Sequence, residues 1–118
     1  MSLSSLRELA RSADIRFDRL SRALFSTDAS IYQMEPVGVA FPKSPRETVQ
    51  IVQAAVSDGV AVIPRGAGTG LAGGAVGAGL IVDYSRYNRG IGEFNAEART
   101  VRVQAGVVLD QLNAFLRP

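Results

Sequence analysis

The most informative stretch of this sequence is the glycine-rich run Pro64-Arg65-Gly66-Ala67-Gly68-Thr69-Gly70-Leu71-Ala72-Gly73-Gly74-Ala75-Val76-Gly77-Ala78-Gly79. It holds seven of the twelve glycines in the chain, and no side chain from Gly66 to Gly79 is ionisable. Glycine is used where the backbone takes a positive φ or approaches another group closely. Because the run is poor in side-chain chemistry and rich in accessible backbone N–H groups, it is typical of a loop that binds an anion such as phosphate.

Apolar segments flank the run on both sides. Val60–Ile63 predicts a strand that is apolar throughout, as expected for one covered on both faces. Leu80–Tyr84 predicts a second buried strand. Upstream, alternating residues from Val37 to Phe41 predict a strand that ends at Pro42.

The clearest helix start lies between the first two strands. Ser44 is the expected N-cap, Pro45 the first helical residue and Glu47 the partner in a capping box, while Gly59 predicts the end. The predicted buried face comprises Val49, Ile51, Val52, Ala55 and Val56. Residues 37–63 therefore indicate a strand–helix–strand unit with a parallel pair and a right-handed crossover.

The two ends of the chain show weaker patterns. Apolar spacing from Leu6 to Leu24 predicts one or two amphipathic helices that pack on a core, with a possible break at Asp14; a membrane-surface helix is the weaker alternative. A hairpin is predicted from Gly92 to Gln104, and a final helix from Val108 to Leu116. We divide the chain into an N-terminal helical segment, residues 1–25, and a domain over residues 26–118.

Composition excludes several classes of function. The 118 residues suit one domain at most, with 47% apolar residues and a net charge of +2. No Cys or His is present, which excludes disulfides, zinc–thiolate sites and Ser-His-Asp catalysis within this chain. No basic patch predicts nucleic-acid binding, no apolar stretch is long enough for a transmembrane segment, and no secretory signal is recognisable. A cytoplasmic setting is expected, with peripheral attachment to the inner membrane left open.

The glycine run contains a familiar pattern that context argues against. Gly68 to Gly73 matches G-x-G-x-x-G, but a nicotinamide-dinucleotide fingerprint must open directly into a helix. The glycines from Gly73 onward make a helix there improbable, since each helical glycine costs about 1 kcal/mol relative to alanine. A flexible linker is the other alternative, and it is disfavoured because the run joins two strands of one sheet.

Several segments together carry a family resemblance. The run resembles the pyrophosphate loop of FAD-linked oxidases of the p-cresol methylhydroxylase / vanillyl-alcohol oxidase superfamily, and most closely the glycolate oxidase FAD subunit and D-lactate dehydrogenase branch. The likeness extends in order from Ser26 to Pro118. It includes Ser26–Tyr32, Val39–Pro45, Val82–Asn88 and Val101–Val107.

The resemblance implies a fold and a cofactor. The fold would be α+β, the N-terminal part of a FAD-binding domain of the p-cresol methylhydroxylase (PCMH) type, with a small parallel sheet flanked by helices and the start of an antiparallel part. The residues implied to bind FAD are Pro64, Arg65, Gly66, Ala67, Gly68, Thr69, Gly70, Leu71, Gly73, Gly74 and Gly106. For Arg65, contact with phosphate and pairing with a nearby acid are equally expected. For Gly106, close approach of the backbone to the cofactor and a plain structural role in a turn are equally expected. Because Thr69 stands where the berberine-bridge branch has a flavin-linked histidine, we expect noncovalent attachment.

The resemblance also implies an activity. The family removes a hydride from a hydroxyl-bearing carbon of a small 2-hydroxy acid, here of the D-lactate or glycolate type, with FAD as acceptor. The catalytic residues would lie outside this chain, which we expect to be a fragment of a longer protein, although a complete small domain is the alternative. An iron–sulfur cluster is a possible feature of the missing part, and the electron acceptor is unknown. The alternative function is a noncatalytic phosphate- or nucleotide-binding module.

Overall fold

The computed structural model describes residues 2–118, which form a mixed α+β fold with two separate sheets. This confirms the expected fold class. The elements in chain order are α1 (Ser4–Leu9), β1 (Ile15–Arg16), α2 (Arg19–Leu24), β2 (Gly38–Ala40), α3 (Pro45–Ser57), β3 (Val62–Arg65), β4 (Leu80–Asp83), β5 (Ile91–Asn95), β6 (Thr100–Val103) and α4 (Leu109–Leu116).

The first sheet has the order β1-β2-β4-β3. Strand β4 is parallel to both β2 and β3, with Ile81 opposite Val39 on one side and Ile63 on the other. The predicted strand–helix–strand unit is therefore correct in its elements but wrong in its pairing, because β4 separates β2 from β3. All four residues of β4 are buried. The apolar Leu80, Ile81 and Val82 are as expected for a central strand, whereas the fourth buried residue, Asp83, is charged.

Strand β3 lies at the edge of this sheet. It begins at Val62, and its partial exposure corrects the prediction that a strand over Val60–Ile63 is covered on both faces. Its residues are half-buried or exposed. Pro64 sits within it, and an edge strand tolerates a residue that has no N–H to donate to a neighbour. Because β3 is an edge strand, the part of the glycine run that follows Arg65 has no neighbouring strand on its outer side.

Helix α3 begins and ends as predicted. The Ser44 hydroxyl accepts a hydrogen bond from the Glu47 N–H at 3.1 Å, and Gly59 ends the helix with a φ of +69°. The second half of the capping box is not formed, since Glu47 Oε1 is buried without a partner among the described residues.

The buried face of α3 is narrower than predicted. Ile51 and Ala55 are buried, whereas Val49, Val52 and Val56 are exposed. Ile51 and Ala55, with the partly buried Ala54 beside them, meet the core that α1 and the sheet share.

The N-terminal region forms two short helices, and the chain does break at Asp14, as expected. The structure adds strand β1 between them, which the sequence analysis missed. Leu6 is fully buried against α3 and the sheet, but Leu20 and Leu24 on α2 are exposed, so the predicted apolar stripe is only partly packed.

Alternation along the strands divides the core into two layers. Ala40, Leu80 and Val82 face the layer under α1 and α3. Val39, Phe41 and Ile81 face the opposite layer, where the Phe25 ring meets Phe41 edge-on at 5.6 Å between centroids. This second layer holds the chain after α2 next to the start of the glycine run.

The C-terminal part forms the predicted hairpin of β5 and β6 and the final helix α4. The hairpin contains an irregularity between Ile91 and Phe94, and α4 has no buried residue. Among the described residues, no helix has the length and apolar character required to cross a bilayer.

Candidate functional site

The glycine run leaves the sheet at the carboxyl end of β3 and returns at the start of β4, and no helix forms within it. This confirms that Gly68 to Gly73 does not have the strand–turn–helix context of a nicotinamide-dinucleotide fingerprint. Because β2, β3 and β4 are mutually parallel, the chain following each of them emerges at the same edge of the sheet. Ligands of α/β sheets characteristically bind at this carboxyl edge.

The backbone N–H groups at the start of the run are unused. Across residues 2–118, the N–H groups from Gly66 to Gly74 donate no hydrogen bond to another protein group. Gly68 and Gly73 have φ of +70° and +82°. Switches between negative and positive φ of this kind produce concave sets of N–H groups that hold anions. Thr69 and Gly70, between them, are exposed.

The Arg65 side chain lies against the loop that it precedes. Its Nη1 donates hydrogen bonds to the carbonyl oxygens of Thr27 at 2.9 Å and Ala75 at 3.3 Å. The guanidinium carbon is 5.0 Å from the centre of the Phe25 ring. Arg65 forms no ion pair within the described residues, so the second of its two expected roles, direct pairing with an acid, is not found. Its charge is nevertheless one of the weaker causes that lower the pKa of Asp28.

Residues 27–32 form the wall on one side of the loop, which the sequence analysis did not foresee. The Ala29 N–H donates to the Gly68 carbonyl at 2.9 Å. A Cβ at Gly73 would lie 2.6 Å from Cδ2 of Tyr32, so the tyrosine ring packs directly on the glycine backbone. Gly73 is therefore required for contact with this wall, because a side chain there would collide with the Tyr32 ring.

A local turn shapes the wall. The Ser30 N–H donates to Asp28 Oδ1 at 2.8 Å. Hydrogen bonds from the hydroxyl and the N–H of Ser30 lower the pKa of Asp28, so its carboxylate is charged at neutral pH. The spacing of Asp28 and Ser30 in the sequence is typical of such a turn, but it does not predict that the turn contacts the glycine loop.

Gly106 lies beside the start of the loop. The Ala105 carbonyl is 3.7 Å from the position of a Cβ on Gly66, which places the 105–106 turn against the loop. Gly106 is buried, its N–H donates to the Asn88 carbonyl at 2.8 Å, and a Cβ there would overlap the Tyr84 carbonyl. Its observed contacts are those of a packed turn.

The neighbouring turn after β4 is also held by its own side chains. The N–H and hydroxyl of Ser85 both donate to Asp83 Oδ1, at 2.8 and 2.7 Å. Asn88 Nδ2 donates to the Pro42 carbonyl at 2.6 Å, which ties this turn to the end of β2. These hydrogen bonds stabilise the turn.

The assembled site has the chemistry of an anion receptor. It offers unused N–H groups, an exposed threonine and one arginine, and a diphosphate fits this donor set. Proton transfer by histidine or cysteine is not available because the chain has neither. Within residues 2–118 no group of three or more acidic, His or Cys side chains gathers as a metal site.

Sequence comparison identifies relatives over nearly the whole chain. The profile of a family described as FAD binding domain matches residues 36–118. D-2-hydroxyglutarate dehydrogenase of Pantoea ananatis is 48% identical over 104 residues, covering 86% of this chain and 10% of that protein. The enzyme of the same name from Escherichia coli is 40% identical over 119 residues, covering 98% of this chain and 12% of that protein. The chain thus spans about a tenth of these relatives.

Solved structures share the fold. An alkyldihydroxyacetonephosphate synthase superposes with a TM-score of 0.80 at 20% identity, over 98% of this chain and 27% of that one. A variant of BBE-like 1 from Physcomitrella patens gives a TM-score of 0.69 at 23% identity, over 97% of this chain and 26% of that one. At these identities the likeness establishes the fold alone, and it agrees with the architecture expected from the sequence.

Proposed function

Because the chain belongs to the FAD binding domain family, we propose that its glycine loop holds the pyrophosphate of FAD in a dehydrogenase of 2-hydroxy acids. The observation that carries the proposal is the series of unused N–H groups from Gly66 to Gly74 at the carboxyl edge of the sheet. A diphosphate needs several donors at once, and backbone N–H groups supply them without bulky side chains in the way.

The residues of the loop would have different roles in binding the pyrophosphate. Gly66, Gly68 and Gly70 would present N–H groups to the phosphates, and the Thr69 hydroxyl would add a donor. Pro64 and Arg65 would fix the entry to the loop. The remaining proposed contacts are Ala67, Leu71, Gly73, Gly74 and Gly106.

The chemistry of oxidation belongs to the cofactor. FAD supplies the acceptor for a hydride that leaves the hydroxyl-bearing carbon of the substrate, and the protein supplies binding and orientation. We assign no catalytic residue to these 118 residues. Their proposed part is to bind the diphosphate and to keep the loop and its wall in place.

We propose that the flavin is held without a covalent bond. The chain contains no His and no Cys, the side chains that most readily form a link to flavin. Thr69 stands where the berberine-bridge branch has its flavin-linked histidine. After acid precipitation and digestion of the holoprotein, no flavin is therefore expected on a peptide from this chain. Colour retained in the pellet and attached to a peptide from residues 64–74 would contradict this.

The substrate proposed first is D-2-hydroxyglutarate, because that is the compound named for the relatives at 40–48% identity. D-Lactate and glycolate, expected from the family resemblance, remain the other candidates. All three have a hydroxyl on the carbon next to a carboxylate. An iron–sulfur cluster elsewhere in the protein stays a prediction.

The test uses the full-length protein that carries this chain. We expect it to purify with flavin absorbance that bleaches anaerobically on addition of one of the three acids. A flavoprotein that none of them bleaches would contradict the substrate class. A colourless protein that binds other phosphates and not FAD would favour the noncatalytic phosphate-binding module.

A further inference from the structure

We infer that Arg65 is a positioning residue, which holds the glycine loop in shape by bridging two backbone carbonyls and does not itself bind the phosphates. The part of this inference that concerns FAD rests on the proposed function. The part that concerns the loop's conformation stands on the contacts of Arg65 alone.

The first observation is what Arg65 Nη1 joins. Its two acceptors are the Thr27 carbonyl, 38 positions earlier in the chain, and the Ala75 carbonyl, ten positions later. Thr27 begins the wall and Ala75 lies just past the unused N–H groups. One nitrogen therefore connects the wall with the far end of the loop. Nη1 carries two N–H bonds, and these two acceptors account for both of them.

The second observation is where the rest of the guanidinium lies. It rests on the Phe25 ring, and a Cβ on Gly68 would be 2.7 Å from Nη2. The planar group is thus packed between Phe25 and the loop backbone. Gly68 is the residue whose carbonyl accepts from the Ala29 N–H, so the arginine supports the loop where the wall meets it.

Lysine is a poor substitute in such a place. Its ammonium is a compact charge on a flexible stem, whereas the guanidinium is a rigid planar fork that also stacks on aromatic rings. If Arg65 acted through charge toward the phosphates, lysine would preserve much of that effect. If Arg65 acts by bridging carbonyls and stacking on Phe25, lysine would lose it.

The experiment compares Arg65→Lys and Arg65→Gln in the full-length protein, with Arg16→Lys as the matched control. Arg16 also stacks on a phenylalanine, Phe41, at 5.1 Å and also forms side-chain hydrogen bonds, but to Asp14 and away from the loop. The first measurement is hydrogen–deuterium exchange of the Ala29 amide in FAD-free protein, resolved by fragmentation mass spectrometry. The second is the Kd for FAD from flavin fluorescence.

We expect both Arg65 variants to accelerate Ala29 exchange and to raise the Kd for FAD by about tenfold, the size expected from losing one or two net hydrogen bonds. Arg16→Lys should change neither quantity. If Arg65→Gln fails to fold, Arg65→Lys decides the matter alone. Unchanged Ala29 exchange, or an unchanged Kd in Arg65→Lys, would overturn the inference. A wild-type protein that does not bind FAD would refute the proposed function, while the exchange measurement would still decide whether Arg65 holds the loop.

Discussion

The Asp58 carboxylate, directly after α3, accepts a hydrogen bond from the backbone N–H of Leu6 at 2.9 Å, at the start of α1. Its other oxygen accepts from the Ser5 N–H at 3.1 Å. No side chain from α1's own N-terminus caps that helix. Asp58 therefore serves as a cap from 52 positions away and fastens the first helix to the third.

Asp58 should make stability depend on pH in one direction. The hydrogen bonds from Leu6 and then Ser5 lower the pKa of Asp58 from its ordinary value of 3.8. Because the folded pKa lies below the unfolded one, the stabilisation is complete above about pH 4 and is lost as pH falls through the folded pKa. We expect Asp58→Asn to lower the Tm at pH 7, with a difference from wild type that shrinks below pH 4.

Thermal unfolding followed by circular dichroism between pH 7 and pH 3 measures this difference. Glu97→Gln is the control, since Glu97 is exposed in the hairpin turn and forms no hydrogen bond or ion pair within residues 2–118. A Tm difference for Asp58→Asn that stays constant over the whole range would exclude the proposed role of its charge.

The charge preference of the glycine loop can be tested at Gly70. A Cβ there meets no atom within 4 Å, so a side chain fits without displacing protein. Gly70→Asp and Gly70→Asn add side chains of nearly the same size that differ in charge. We expect the aspartate to weaken FAD binding by at least about tenfold more than the asparagine, because a carboxylate next to a diphosphate is repelled.

Titration of FAD into the two apo proteins gives the comparison. The difference should diminish at high salt, which screens exposed charges. Equal affinities for the two variants would place the diphosphate away from Gly70.

Gly106 should be essential for folding whatever its part in cofactor binding. Any Cβ there overlaps the Tyr84 carbonyl, and the site is buried. We expect Gly106→Ala to destabilise the protein by about 1–3 kcal/mol, the usual cost of overpacking. Gly70→Ala is the matched control because the space around it is open. Urea unfolding of the two variants measures this, and equal midpoints would show that the 105–106 turn moves freely.

The 118 residues alone should bind FAD weakly. The loop offers donors for a diphosphate, but its central residues are exposed, and α4 buries none of its apolar side chains. The larger parts of FAD require surfaces beyond these. Titration calorimetry of this polypeptide should give a micromolar or weaker Kd, and submicromolar binding would contradict the expectation.

Local features of this protein were predictable because their causes are local. The Ser44 cap and the Gly59 end of α3 depend on hydrogen bonds and φ angles within a few residues, and both are as expected. The burial of Leu80, Ile81 and Val82 in β4 follows from their apolar character, whereas the burial of Asp83 at its end does not. The exposure of Val49, Val52 and Val56 on α3 could not be predicted. Helical spacing shows that a helix has an apolar face, but it does not show how much of that face the neighbouring elements cover.

What the sequence by itself determined is the character of the glycine run: a helix-free loop without ionisable groups, suited to an anion because glycine frees the backbone N–H groups for a ligand. Only the tertiary structure decided that β4 separates β2 from β3, that Tyr32 and Ala29 form the wall of the loop, and that Arg65 bridges carbonyls 48 positions apart, 38 before it and ten after it. These contacts join residues far apart in the chain. Their partners are set by strand order and register, which no short stretch of sequence encodes.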